Sequence, residues 1–299
     1  MGLSDGAIII DIEKETDMKI GDKITEPFWV DGTENADDIV ISTHNPFDTQ
    51  MWVSTMEYLE KLRGPLPKSF WQKLRARKGK GMSSTLLPLL TSIKEELKTK
   101  KTVTVLDFGG GIGDNYYEFL KTNQDIQKRV KFIIVDLKVN CQKGAEKFKD
   151  YNNVTFMIND SDHKMELIEY LKNNKIDILH FCGCLQYIIP YKEDLKMALT
   201  CCPNKVIFVR TSFTDREKTF YCRQKICPDI GEYEGRYLGD IKSAVISKLE
   251  LSDFLNQYGY YIEKADNHFV HSGYAKGLSG FGEIYYEDII YCKTSTAQA

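Results

Sequence analysis

Residues 105–120 read VLDFGGGIGDNYYEFL. An apolar run closes on Asp107 and Phe108, four of the next five residues are glycine, and Asp114–Asn115 then opens a predicted helix. Glycine takes a positive φ at little cost and lets another group approach the backbone closely. A glycine-rich turn between a buried strand and a helix predicts a ligand lying beyond the carboxyl end of a sheet strand.

The residues after the turn narrow the ligand. A phosphate loop of the Walker type needs Lys and then Ser or Thr after its last glycine. Here Asp114 and Asn115 follow Gly113, and an acid at that place repels phosphate. The dinucleotide fingerprint GxGxxG fits better. Gly109 and Gly111 match its first two glycines, but its third falls on Asp114, and Gly113 comes one position early. An acid in and after the turn suits a cofactor that carries positive charge.

Outward from this turn the chain alternates. TVTVLDF (102–108), VKFIIVD (130–136), VTFMIND (154–160), IDILHFCG (176–183) and KVIFVRTSF (205–213) read as short buried strands. Amphipathic helical segments such as HKMELIEYLKNN (163–174) separate them. That order predicts an α/β domain of parallel strands joined by right-handed crossovers. Two further landmarks end predicted strands. Asp136 lies 23 residues beyond Gly113, where a carboxylate can accept both hydroxyls of a ribose. Asn159–Asp160 ends the next strand, a usual place for side chains flanking an adenine.

The alternation stops after residue 213. Residues 214–243 are polar and aromatic with no clear element, which predicts an insert acting as a lid or binding loop. LELSDFLNQYGY (249–260) reads as a helix with a candidate N-cap at Ser252 and a stop at Gly259. YYIEKADNHF and EIYYEDIIYCK read as the last two strands. The N-terminal third carries weak strand signals at AIIIDI and FWV. It also carries a helix within 46–63, with Trp52, Met56, Leu59 and Leu62 on one face, and a second helix over about 84–99. The expected organisation is a mostly helical N-terminal extension or cap over residues 1–100 and the main domain over 101–299, with the insert at about 214–243.

Taken together, VLDFGGGIG, Asp136 and Asn159–Asp160 resemble the three cofactor motifs of the class I S-adenosylmethionine-dependent methyltransferases. The resemblance implies a Rossmann-like fold: a seven-stranded, mostly parallel sheet with strand seven antiparallel. It implies S-adenosyl-L-methionine as cofactor and S-adenosyl-L-homocysteine as product. Asp107, Gly109, Gly110, Gly111 and Gly113 would then lie beside the methionine portion, Asp136 at the ribose, and Asn159 and Asp160 near the adenine. Cys182 and Gly183, followed by Cys184 and Leu185, would line the route between cofactor and acceptor. Of Tyr116 and Tyr117, which open the helix after the turn, one is expected at the cofactor's carboxylate end and the other against the sheet.

A closer resemblance is to methyltransferases of bacterial surface-polysaccharide gene clusters. It rests on DFGGGIGDNYY (107–117), DILHFCGCLQYI (177–188), VRTSF (209–213) and RQKI (223–226). The chain departs from that pattern in two places. Val209 stands where the group has an acid before Arg, and Cys182–Gly183 stands where it has Ser-Gly. The implied acceptor is a small molecule, such as a sugar or nucleotide-sugar bearing a hydroxyl or an amine.

Candidates for the chemistry are fewer. His180 lies inside the fourth strand and reads either as a residue of the active edge or as a satisfied core histidine. His268 and His271 lie between the last two strands, on the expected cofactor face, as acid–base or acceptor contacts. Their spacing tempts a metal reading with Glu283, but no third ligand follows at a diagnostic distance, and no metal is expected. Arg210 ends the fifth strand, where a guanidinium wants either an acceptor anion or an internal acid.

Composition excludes some classes and leaves others. The chain has 299 residues, 42% apolar and 28% charged, with a formal net charge of −3. It carries no long apolar stretch for a bilayer and no zones of a signal peptide, so a cytoplasmic location is expected. The eight cysteines lack zinc-pair spacing and read as reduced thiols. Residues 61–80 hold eight Lys or Arg and no acid, and with Trp71 they form the one feature that favours a nucleic-acid acceptor. The overall charge and the lack of any RNA-binding module weigh against it. A cofactor-fold scaffold without catalysis and an NAD-dependent oxidoreductase are the remaining alternatives.

Overall fold

The computed structural model describes residues 29–41, 45–48, 50–63, 84–228, 232, 234–270, 278 and 280–294. The basic stretch lies, from residue 64 to its end, outside the described residues, as do AIIIDI and His271.

Five parallel strands form the body of the sheet: β2 (Val103–Phe108), β3 (Val130–Asp136), β4 (Val154–Ile158), β5 (Ile178–Cys182) and β6 (Lys205–Thr214). At its far side β10 (Tyr285–Lys293) runs antiparallel between β6 and β9 (Tyr260–Val270). The order is β4-β3-β2-β5-β6-β10-β9. This is the seven-stranded Rossmann-like arrangement with an antiparallel last strand that the resemblance implies.

Period-2 alternation sends side chains to both faces. Leu106, Phe108, Ile133 and Val135 join one buried cluster with Leu167 and Leu171 of α5 (Lys164–Asn173), Leu195 of α6 (Tyr191–Ala198) and Leu251 and Leu255 of α7 (Lys248–Gln257). Val105, Phe132 and Ile134 join the other with Leu89, Leu90 and Ile93 of α2 (Leu87–Glu96) and Tyr116, Phe119 and Leu120 of α3 (Asp114–Thr122). Strands buried on both faces read as continuous apolar runs, which is why they stand out in the sequence.

Two sequence readings need correction. The stretch 214–243 does contain strands: β7 (Phe220–Ile226) pairs antiparallel with β8 (Gly239–Ser247), from Phe220↔Val245 to Ile226↔Gly239. β1 (Trp29–Thr33) adds antiparallel to the outer edge of β7. The charges in FYCRQKI hide the strand period. In the fold the Arg223 guanidinium is neutralised by Asp31 at 2.7 Å and Asp240 at 3.4 Å, acids from its two neighbouring strands. The second correction concerns α7. Its N-cap is Ser247, whose side chain accepts from the Glu250 N–H at 3.1 Å, whereas the Ser252 hydroxyl bonds to Tyr291 at 2.9 Å. Gly259 ends this helix turn with φ +78°.

The small sheet has its own apolar cluster of Trp29, Phe220, Cys222, Val245, Leu278 and Ile284. It meets the main sheet through two parallel residue pairs, Phe213↔Ile246 and Thr214↔Ser247. In the N-terminal part, α1 (Gln50–Arg63) follows a short 3-10 turn at Pro46–Asp48.

Candidate active site

A cavity of about 630 Å³ opens over the carboxyl ends of β2, β3, β5 and β6. The chain turns there for reasons readable residue by residue. Gly109 sits at φ +69°, and a Cβ at that position would lie 2.5 Å from the Cβ of Cys184. Only glycine fits such a close approach in a left-handed conformation. Its N–H reaches the carbonyl of Val135 at 2.7 Å, tying the turn to β3. Gly110 and Gly111 line the cavity, while Gly113, just outside it, leads into α3.

Asp136 is the clamp of this turn. Its carboxylate accepts from the N–H of Gly111 at 2.7 Å, the N–H of Leu137 at 2.7 Å and the Asn140 amide at 2.6 Å. Burial pushes its carboxyl above the ordinary value, against the pull of those donors. It lines the cavity beside Asn159, and Asp114 lines the same end.

Asp107 lies underneath, fully buried and outside the cavity wall. It accepts from Nδ1 of His180 at 2.7 Å and from the Asn115 amide at 3.1 Å. Asn115 is itself a wall residue, so Asp107 acts on the cavity through it. His180 is completely buried, does not line the cavity, and its Nε2 finds no hydrogen-bond partner among the described residues.

Two further expected positions fall elsewhere. Tyr116 is buried in the core against Phe132 and Phe148, with its hydroxyl donating to Asn153 Oδ1 at 2.6 Å, because α3 turns that position toward the sheet. Tyr117 is buried in the same cluster. Asp160 organises its own loop: Oδ1 accepts from the N–H groups of Asp162 and His163 at 3.0 Å, and from the His163 ring at 2.6 Å. The His163 interaction lowers its carboxyl pKa.

Cys182 and Gly183 line the middle of the cavity with Cys184. Burial pushes the Cys182 thiol up to about 12, and the Cys184 thiol donates to the carbonyl of Phe108 at 2.9 Å. Arg210 lines the far end. His268 has its backbone within β9, and the described residues lining the cavity include no histidine.

Apart from Tyr187, which from the sequence reads either as a cofactor contact or as a core filler, the far end is otherwise made by residues that the sequence reading left unassigned to any site. Phe47 stands 4.8 Å from Trp52 and 5.0 Å from Tyr187 between ring centroids, and Trp29 lies 6.5 Å from Tyr286. Lys225 and Gln224 come from β7. A pair of aromatics bracketing a helix start, Phe47 and Trp52, is the one local signal that marks this wall. Lys225 carries none, since its role depends on the pairing of β7.

No protein-family model matches the chain, and no curated protein matches it. Solved structures do show likeness. An S-adenosylmethionine-dependent methyltransferase from Clostridium acetobutylicum is 15% identical, with 73% of this chain and 94% of that one covered and a TM-score of 0.42. An arsenic(III) S-adenosylmethionine methyltransferase from Chlamydomonas reinhardtii is 14% identical, with 73% and 75% covered and a TM-score of 0.45. An amino pentose methyltransferase of calicheamicin biosynthesis from Micromonospora echinaspora is 10% identical, with 77% and 99% covered and a TM-score of 0.43. Among the described residues no helix is long and apolar enough to cross a membrane.

Proposed function

We propose that this protein transfers a methyl group from S-adenosyl-L-methionine to a small-molecule acceptor, releasing S-adenosyl-L-homocysteine. The observation that carries the reading is the meeting of Gly111, Asp136 and Asn159 on one cavity wall, each at the end of an adjacent parallel strand. Ligands of open α/β sheets bind in that position.

The residues present fit the cofactor. Asp136 holds the glycine turn and offers carboxylate oxygens to ribose hydroxyls. Asn159 supplies an amide beside it for an adenine. Asp114 puts negative charge at the start of α3, which favours a sulfonium over a pyrophosphate and weighs against NAD. The bound cofactor supplies an electrophilic methyl on a cationic sulfur. The chain's own contribution is position. Gly109 brings backbone close, Asp107 fixes Asn115 in the wall, and the aromatic end holds an acceptor against the transfer direction. Sugars and nucleotide-sugars are the first acceptors we propose, because flat aromatic walls suit a ring-bearing ligand.

Isothermal titration with S-adenosyl-L-homocysteine, with NAD in parallel, tests the reading. Micromolar binding of the first and none of the second is expected. Binding of NAD alone would overturn the methyltransferase assignment.

A further inference from the structure

The charges on the cavity wall are sorted by end. Among the described lining residues there are two acids, Asp114 and Asp136, both at the glycine turn. There are also two cations, Arg210 and Lys225, both at the aromatic end. From β3 to β6 the sheet steps across three strand spacings, so the two ends are roughly 14 Å apart along the floor. An S-adenosylmethionine lying from Asp136 toward Cys182 leaves the Arg210 end to the second reactant.

Arg210 is held there by the backbone. It is a non-glycine residue at φ +51°, opposite a register shift between Glu287 and Ile289 of β10. Its N–H donates to Asp288 Oδ1 at 2.9 Å, which pins the irregular step. A bulge of this kind re-aims one side chain away from the pleat. Left-handed backbone at a residue with a Cβ is costly and gathers at functional sites. The re-aimed guanidinium is exposed to the cavity and makes no ion pair among the described residues. Burial raises the pKa of both the Cys182 thiol and the Tyr187 hydroxyl, and the Arg210 charge opposes that rise in each, as a cation between the middle of the cavity and the aromatic wall would.

We infer that the acceptor is an anion: a ring-bearing small molecule whose phosphate or carboxylate is gripped by Arg210 with support from Lys225, while its ring lies among Phe47, Trp52 and Tyr187. This inference rests on the methyl-transfer reading for which end each reactant takes. A guanidinium offers a planar fork to either oxyanion, and the probes separate the two.

The test uses the full chain saturated with S-adenosyl-L-homocysteine. Glucose 1-phosphate and glucuronate are the anionic probes, and methyl glucoside is the neutral one. At least one anionic probe is expected to bind about tenfold or more tightly than the neutral one. Arg210→Asn removes the charge, and asparagine tolerates the left-handed backbone. It is expected to erase the preference while S-adenosyl-L-homocysteine affinity stays within about twofold, since an exposed charge remote from a ligand contributes little. Lys225→Gln is expected to reduce the preference less. Failure of both anionic probes to outbind methyl glucoside overturns the inference, and so does a preference that survives Arg210→Asn. A matching loss of S-adenosyl-L-homocysteine binding in Arg210→Asn also overturns it, by assigning the guanidinium to the cofactor's carboxylate. If the unaltered protein binds no S-adenosyl-L-homocysteine, the methyl-transfer reading fails instead, and the anion preference is then read on the unloaded chain.

Discussion

At the glycine-turn end, the cavity is floored by backbone and short side chains drawn mostly from residues 108–140, with hydrogen bonds of 2.6–2.7 Å closing on one carboxylate. At the Arg210 end, the walls are long side chains brought from as far apart as Trp29 and Tyr286. The first end is an extension of the core and inherits its rigidity. The second is assembled from a separate small sheet, a short helix-bearing segment and one irregular strand position. On the proposed reading, a site built this way holds one reactant on the core and the other on side chains gathered from several separate elements.

The sharpest way to break that contrast is at Gly109. A valine there meets Cys184 and is strained by the positive φ, so Gly109→Val is expected to lower unfolding stability by about 3 kcal/mol. A urea midpoint equal to that of the unaltered protein would contradict the close packing described above. By contrast, Gly111 has open space where its Cβ would stand, with Asp114 the nearest group at 3.8 Å. Gly111→Ala therefore carries only the backbone strain, about 1 kcal/mol, and its main expected effect is on ligand binding.

Asp136→Ala comes next. It takes the acceptor from three N–H donors as well as from the ligand, so S-adenosyl-L-homocysteine affinity is expected to fall about thirtyfold, ~2 kcal/mol. Calorimetry checks the affinity, and an unchanged value would remove Asp136 from the cofactor site. At the other end Trp52→Ala is expected to leave that affinity within about twofold, because aromatic truncation acts on the ligand it touches. A large loss there would show that the two ends do not divide the reactants.

The smallest effect is expected at Cys182. It faces the cavity, yet burial holds its thiol near 12, so it stays protonated at pH 8 and reacts slowly with iodoacetamide. Mass spectrometry should find Cys202, which is exposed, alkylated first. Faster labelling of Cys182 would mean that the middle of the cavity is wetter than its packing implies.

The same contrast explains what the sequence makes legible. Asp107, the glycines, Asp136 and Asn159 sit at strand ends, and strands buried on both faces announce themselves as apolar runs. Their spacing along the chain is nearly their spacing across the sheet. Tyr116 and Asp160 show the limit of that reading. Each lies within a residue or two of a cavity position, but helix rotation sends Tyr116 to the core and loop capping turns Asp160 to His163. The aromatic end was hidden for another reason. β7 carries Arg223 and Lys225, charges that read as loop until Asp31 arrives from β1 and Asp240 from β8 to neutralise Arg223. No local pattern links Trp29, Arg210 and Tyr286 before the chain is folded.

Among the described residues the small sheet joins the main one in strand pairing only at Phe213↔Ile246 and Thr214↔Ser247. In evolutionary terms that seam is a graft point. Everything between it can be lengthened, shortened or replaced, provided that β1 changes with β7, its pairing partner. The strands beneath, and the clamp on the glycine turn, would be left as they are. On the proposed reading, a lineage could thus change the acceptor by editing one attachment, while inheriting unchanged the means of methylating it.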